Sequence, residues 1–140
     1  MEKTLIKTDG PIPAYQTTGA AAVDLTANKD MSIPPLGVAA VPTGIYLALP
    51  VGCCADIKPR SGLAIKHHVT VLNAPGLIDS DYRGELMVIL INHGERYFDI
   101  KAGDRIAQME LRKVERFDFL QVEELPATER GAGGFGSTGK

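Results

Sequence analysis

Apolar and β-branched residues come in short runs along this chain, with clusters of turn residues between them. Two runs stand out. His68-Val69-Thr70-Val71-Leu72 and Leu86-Met87-Val88-Ile89-Leu90-Ile91 are each too short for a typical helix and rich in strand formers, so both predict buried strands. Asn73-Ala74-Pro75-Gly76 between them is a turn sequence. The pattern therefore predicts a hairpin that carries an acid, Asp79, between two core strands. Elsewhere the runs are weaker. Thr4 to Lys7 predicts a short strand that stops at Asp9-Gly10-Pro11, and Ala20 to Ala27 a further strand between two turns. Prolines and glycines cut residues 31–52 into short pieces. Ile45-Tyr46-Leu47-Ala48-Leu49 alternates as a half-buried strand does, and Ala55 to Lys58 does so more briefly.

Pro59 to Lys66 contains a few helix formers behind Ser61, a possible N-cap, and predicts one short helix. Beyond the hairpin, His93-Gly94-Glu95 and Lys101-Ala102-Gly103-Asp104 predict turns around Phe98 to Ile100. Arg105 to Leu111 alternates, with Ile106 on the core side and Gln108 toward the strand's polar end, and Lys113 to Val122 reads as another strand or two. Roughly ten short strands at this spacing are the signature of an all-β fold, a jelly-roll-like barrel or sandwich. The domain is expected to occupy residues 1–125. Residues 126–140 differ: five of the last ten are glycine, which predicts a flexible Gly-rich C-terminal arm.

Composition narrows the function classes. One chain of 140 residues is enough for one core. A formal net charge of −2 lacks the basic excess of a duplex-binding surface, so no nucleic-acid partner is expected. No apolar run is long enough to span a bilayer and the first residues lack the apolar core of a signal peptide, so no membrane role is expected either. The two cysteines, Cys53 and Cys54, are adjacent and lack metal-ligand spacing, which suits inert thiols in a reducing compartment.

Candidate chemistry lies in the polar stretches. Asp79 follows Leu77 and Ile78, and a carboxylate there either satisfies nearby backbone N–H groups or has a chemical task. Asp24 is the only charge in its strand, a turn cap or an acid on a rigid element. Arg60 and Ser61 at a helix start would offer donors to an anion, but on these residues alone an ordinary capped turn with a surface arginine is the favoured reading. His67 and His68, if on a strand, point to opposite faces and would not chelate together. In the tail, Arg130, Ser137 and Thr138 surround Phe135, and Gly-rich backbone can wrap a phosphate. It is not a Walker loop, since no helix follows.

Five stretches in order, Ala21 to Leu25, Arg60-Ser61-Gly62-Leu63-Ala64, Gly76 to Glu85, Gly103-Asp104-Arg105-Ile106-Ala107-Gln108 and Arg130 to Gly139, resemble the motifs of trimeric dUTPases. The resemblance runs from about residue 20 to the C-terminus. It implies a jelly-roll-like subunit, a homotrimer with shared active sites, and Mg²⁺-dependent hydrolysis of dUTP to dUMP and pyrophosphate. That reaction keeps uracil out of DNA and supplies dUMP for thymidylate synthesis, by default in the cytoplasm. By position, the resemblance implies that Asp79 activates the attacking water and holds the sugar 3′-OH. Tyr82 would pack on the deoxyribose and exclude a 2′-OH. Asn73 and the backbone around Gly76 and Ile78 would read uracil, with Met87 also in the substrate-binding set. Arg60, Ser61, Gly62 and Gln108 would hold phosphates. Arg130, Phe135, Gly136, Ser137 and Thr138 would close over the nucleotide, Phe135 on the base. Asp24 would hold Mg²⁺ through water.

Two departures accompany the resemblance. Ala22 and Val23 stand where the family commonly has glycine and an aromatic, and Lys113 stands where many bacterial members have a hinge proline, so a swapped C-terminal strand is not assumed. Asp79 and Tyr82 have opposite parity, so a bulge or turn between them is required if both reach one ligand. A dCTP deaminase of the same fold and a non-catalytic regulator that binds nucleotide or protein are the rival readings.

Overall fold

The computed structural model describes residues 3–137 and residue 139. Among these, eleven strands and one helix follow in order: β1 (Leu5–Thr8), β2 (Val23–Thr26), β3 (Met31–Ile33), β4 (Val38–Pro42), β5 (Ile45–Ala48), β6 (Cys53–Lys58), α1 (Ser61–His67), β7 (Val69–Val71), β8 (Gly76–Ile78), β9 (Met87–Asn92), β10 (Phe98–Ile100) and β11 (Arg105–Lys113). The all-β expectation with one short helix holds. The strands form separate sheets rather than a closed barrel: β2-β11-β6-β8, β4-β9-β7, and the pairs β1-β5 and β3-β10. Neighbouring strands in each sheet run antiparallel.

One core joins these sheets. Leu25, Ile57 and Ile106 of the four-stranded sheet meet Val41, Val71 and Leu90 of the three-stranded sheet, all at most 3% exposed. Emptying one of the leucine positions to alanine costs ~2–5 kcal/mol, because transfer and cavity terms add. Asn92, one of the buried polar residues along with Thr43 and Asp56, is satisfied: its Nδ2 donates to the Ile33 and Arg96 carbonyls at 2.9 and 2.7 Å, and its Oδ1 accepts the Gly94 amide at 2.9 Å. It ties the end of β9 to β3.

Several expectations need correction. β7 and β9 do pair as the hairpin pattern requires, Val71 opposite Leu90. The segment between them, however, leaves that sheet: β8 pairs with β6, Gly76 opposite Ile57 and Ile78 opposite Ala55. β6 is thereby an interior strand, between β11 and β8, and its residues 54–57 are all buried instead of alternating. The helix starts behind Arg60 in extended conformation, with no side-chain cap bond, so Ser61 is not the N-cap. His67 ends that helix and His68 is its left-handed C-cap, φ 55°, so they are not strand neighbours. Among the described residues no strand follows Lys113: a strand needs a partner, and after the Val114 amide donates to the Gly52 carbonyl the described chain joins none of the sheets. Phe117, Phe119 and Leu120 are left 75%, 99% and 87% exposed. Among the described residues no helix is long and apolar enough to cross a membrane.

Candidate active site

Two groups of predicted site residues lie at opposite ends of one sheet face. The first is built by β2, β11 and β6. Asp24 stands opposite Gln108, which stands opposite Lys58, so three strands bring these residues into one row. A register shift between Arg105 and Ala107 makes this possible. Ile106 and Ala107 are both buried, and the irregularity re-aims Gln108 away from the core. Strict alternation would have put Ile106 and Gln108 on the same side.

Asp24 is held from two sides. Arg60 Nε lies 3.3 Å from Oδ1 and Arg105 Nη1 lies 3.3 Å from Oδ2, with the Asp24 side chain 18% exposed. Arg60 Nη1 also donates to the Arg105 carbonyl at 3.0 Å, and Gln108 Nε2 donates to the Pro59 carbonyl at 2.8 Å. Gln108 thus fixes the chain just before Arg60. Ser61 and Gly62 follow at the exposed helix start, and the space where a Gly62 side chain would stand is open. Two guanidiniums against one carboxylate leave this end with an excess positive charge. Arg105 is a residue that sequence reasoning did not single out. Its signal was there, since it lies three positions before Gln108 on the same strand, but the contact depends on an irregular register.

The second group is the segment after β7. Asn73 lies over Gly76: a Cβ at Gly76 would come 3.2 Å from Asn73 Nδ2 and 3.4 Å from Ile57 Cβ, so a larger residue would crowd both. Ile78 ends β8 half-buried and Asp79 follows, exposed. The Tyr82 amide donates to the Asp79 carbonyl at 3.2 Å, which is the turn that their opposite parity required. Tyr82 then folds across Gly84, where any Cβ would collide with its ring, and its hydroxyl donates to the Glu85 carbonyl at 3.0 Å. Arg83 Nη1 closes the loop on the Ser80 and Tyr82 carbonyls at 2.7 and 2.9 Å. Met87 begins β9 at 40% exposure.

Between these ends runs a ladder of charge. Asp56 faces Glu110 across β6 and β11, and each acid is answered by a base one row away. Arg112 Nε donates to Asp56 Oδ2 at 2.7 Å, and Lys58 pairs with Glu110. Continuing the β6–β8 register one residue past Ile78 sets Asp79 level with Cys54. Burial pushes the Cys54 thiol up, Arg112 draws it down, and the Asp56 and Asp79 carboxylates push it further up.

The ends do not meet within one chain. The Cys54 row and the Lys58 row are four residues apart along β6, roughly 13 Å, and Asp79 and Asp24 are three strands apart, roughly 14 Å. Among the described residues no hydrogen bond joins the tail to either end. Arg130 Nε donates to the Gly133 carbonyl at 2.8 Å, and the backbone bonds at Gly131, Gly133, Ser137 and Gly139 all close within residues 128–139. Phe135, φ 50°, is fully exposed, and Gly136 has φ 83°. Thr138 lies outside the described residues.

Fold and site together define an all-β subunit that offers guanidinium and amide donors at one end of a sheet and a carboxylate turn at the other. The dUTPase family model matches residues 8–139, and the chain belongs to that family. It is 58% identical over 129 residues to the deoxyuridine 5′-triphosphate nucleotidohydrolase of Wolinella succinogenes, covering 92% of this chain and 87% of that one. It is 50% identical over 140 residues to the protein of the same description from Cytophaga hutchinsonii, with 99% and 91% covered. A Staphylococcus bacteriophage 80alpha dUTPase solved with dUpNHpp shares the fold, with a TM-score of 0.90, 22% identity and 100% of both chains covered.

Proposed function

We propose that this enzyme hydrolyses dUTP to dUMP and pyrophosphate, with each site completed by a second copy of the chain in a closed trimer. The observation that supports the reading is the Asp79–Tyr82 turn, closed by the Tyr82 amide on the Asp79 carbonyl, with Asn73 lying over Gly76 a few residues before it. Backbone groups of that segment, with the Asn73 amide, recognise the uracil edge. Ile78 and Met87 border it. Tyr82, held over Gly84, leaves no room for a ribose 2′-OH. Unmatched polar groups reject cytosine more strongly than apolar contacts could.

Asp79 orients a water and takes its proton as that water attacks the α-phosphorus. The bond from that phosphorus to the bridging oxygen breaks, and the oxygen leaves with pyrophosphate. A positioned base contributes typically ~10²–10⁴-fold. The phosphates lie against the other end of the face, on a neighbouring copy: Arg60, Ser61, Gly62 and Gln108. Asp24 holds Arg60 in place until the triphosphate arrives and competes for the guanidinium.

Among the described residues no three His, Cys, Asp or Glu side chains gather into a metal cage. One carboxylate fits Mg²⁺ nonetheless, because that ion keeps several waters and takes phosphate oxygens as its other ligands. Bound there, it would neutralise charge on the phosphate chain. Asp24, relieved of Arg60 by the phosphates, is the residue that would hold it through water.

The separation of Asp79 from Asp24 supports a site shared between copies, since both must serve one phosphate chain. Residues 126–140 act as the arm that closes the site. Arg130, Gly136, Ser137 and Thr138 meet the phosphates and Phe135 stacks on the base, a contact worth ~1–3 kcal/mol in other nucleic-acid sites. Adjacent cysteines without metal-ligand spacing suit a reducing cytoplasm.

A nucleotide panel tests the proposal. Pyrophosphate should appear with dUTP in the presence of Mg²⁺ and be barely detectable with dTTP, dCTP or UTP. Release of ammonia from dCTP, or no turnover of any nucleotide, would sink it in favour of a deaminase or a regulator.

A further inference from the structure

The segment that carries Asp79 and Tyr82 is bolted at its far end to a turn that the reaction does not otherwise use. Thr43, 5% exposed, donates from Oγ1 to the Leu86 carbonyl at 2.7 Å and accepts the Ile45 amide at 3.2 Å. The Leu86 amide donates to the Ile45 carbonyl at 2.8 Å. Next to it, the Glu85 carboxylate accepts the Gly44 amide at 2.8 Å. Gly44 has φ +69°, a region that side chains rarely adopt, and a Cβ there would come 2.9 Å from Asn28 Nδ2. Both the φ and the space beside Asn28 therefore call for glycine here, and its N–H is aimed at Glu85.

Glu85 faces both ways. Its side chain is held by the Gly44 amide, and its backbone carbonyl accepts the Tyr82 hydroxyl at 3.0 Å. A single residue thus links the β4–β5 turn to the ring that lies over Gly84. We infer that Glu85 is a positioning residue for sugar discrimination: through the Gly44 latch it fixes the carbonyl on which Tyr82 hangs, and so fixes how closely the ring approaches the sugar. The charge-assisted bond to Gly44 is of the stronger kind. Without it the peptide that carries the Glu85 carbonyl is held only through the Leu86 amide bond to Ile45, so the acceptor of the Tyr82 hydroxyl is less firmly fixed and the ring gains freedom to admit a 2′-OH. The inference rests on the proposed packing of Tyr82 against deoxyribose.

The test is the ratio of kcat/KM for dUTP to kcat/KM for UTP, measured in wild type, Glu85→Ala, Glu85→Asp and Glu85→Gln. Loss of a hydrogen bond to a charged group should lower the ratio at least ~5-fold in Glu85→Ala. Most of that fall should come from faster use of UTP, with kcat for dUTP changing less. Glu85→Asp, which withdraws the acceptor by one methylene, should fall in the same direction and decides the matter if the alanine variant does not fold. Glu85→Gln keeps an acceptor for Gly44 and should restore the ratio to within ~2-fold of wild type. A merely structural role would lower activity on both nucleotides together and leave the ratio unchanged, and that outcome overturns the inference. If wild type itself uses UTP as well as dUTP, the reading of Tyr82 falls first, and the latch with it.

Discussion

On the proposed reading, the two ends of the four-stranded sheet work in opposite ways. At the Asp24 end, recognition is by charge: one carboxylate holds two guanidiniums at 3.3 Å, and Gln108 pins the chain before Arg60. At the Asp79 end it is by shape: a turn, a ring lying over a glycine, and backbone groups held in register by β6 and by the Thr43–Gly44 turn. The difference teaches how a small β protein can divide one task. Charge tolerates exchange of partners, so arginines can pass from Asp24 to a phosphate. Discrimination between similar bases and sugars needs groups that do not move. The first end can be loosely coupled to the second as long as the substrate spans both.

Removing the chemistry from the rigid end should have the largest effect. Asp79→Asn keeps the turn, whose recorded bond uses the Asp79 carbonyl rather than its carboxylate. Turnover of dUTP should fall at least ~10²-fold, the lower range for a lost general base, while binding of a non-hydrolysable analogue stays near wild type. Single-turnover kinetics with a titration of the analogue checks this, and near-normal turnover would remove Asp79 from its assigned role. Disturbing shape rather than chemistry should cost less. Gly84→Ala places a Cβ against the Tyr82 ring. Overpacking of ~1–3 kcal/mol should raise KM for dUTP about tenfold at little cost in kcat. An unchanged KM would mean that the ring's position over Gly84 is not what the sugar meets.

The sequence disclosed the rigid end better than the charged one. Val69 to Val71 and Met87 to Ile91 are contiguous apolar runs around a Pro-Gly turn, and local signals of that kind survive folding. The departure of β8 to pair with β6 is a non-local choice that no periodicity records. At the charged end, Asp24, Arg60 and Gln108 were named from their motifs, yet their meeting depends on the irregularity near Ile106, and Arg105 was passed over for that reason. Ser61 looked like a cap because its type favours caps, but Arg60 takes the capping backbone position. Residues 114–122 have the composition of a strand, yet among the described residues they join none of the sheets. In each case the sequence stated what a segment prefers, and the partner decided what it became.

The central claim is that the two ends act on one substrate from different copies of the chain, and co-expression tests it directly. Asp79→Asn and Arg60→Ala chains, carrying different affinity tags, are produced together, and the mixed oligomers are isolated by both tags in succession. Each variant alone should be nearly inactive. In mixed oligomers some sites combine an intact Asp79 from one chain with an intact Arg60 from the next, so dUTP hydrolysis should rise well above the sum of the two parents. Mixed oligomers no more active than that sum would show that Asp79 and Arg60 must come from the same chain, and would contradict the account.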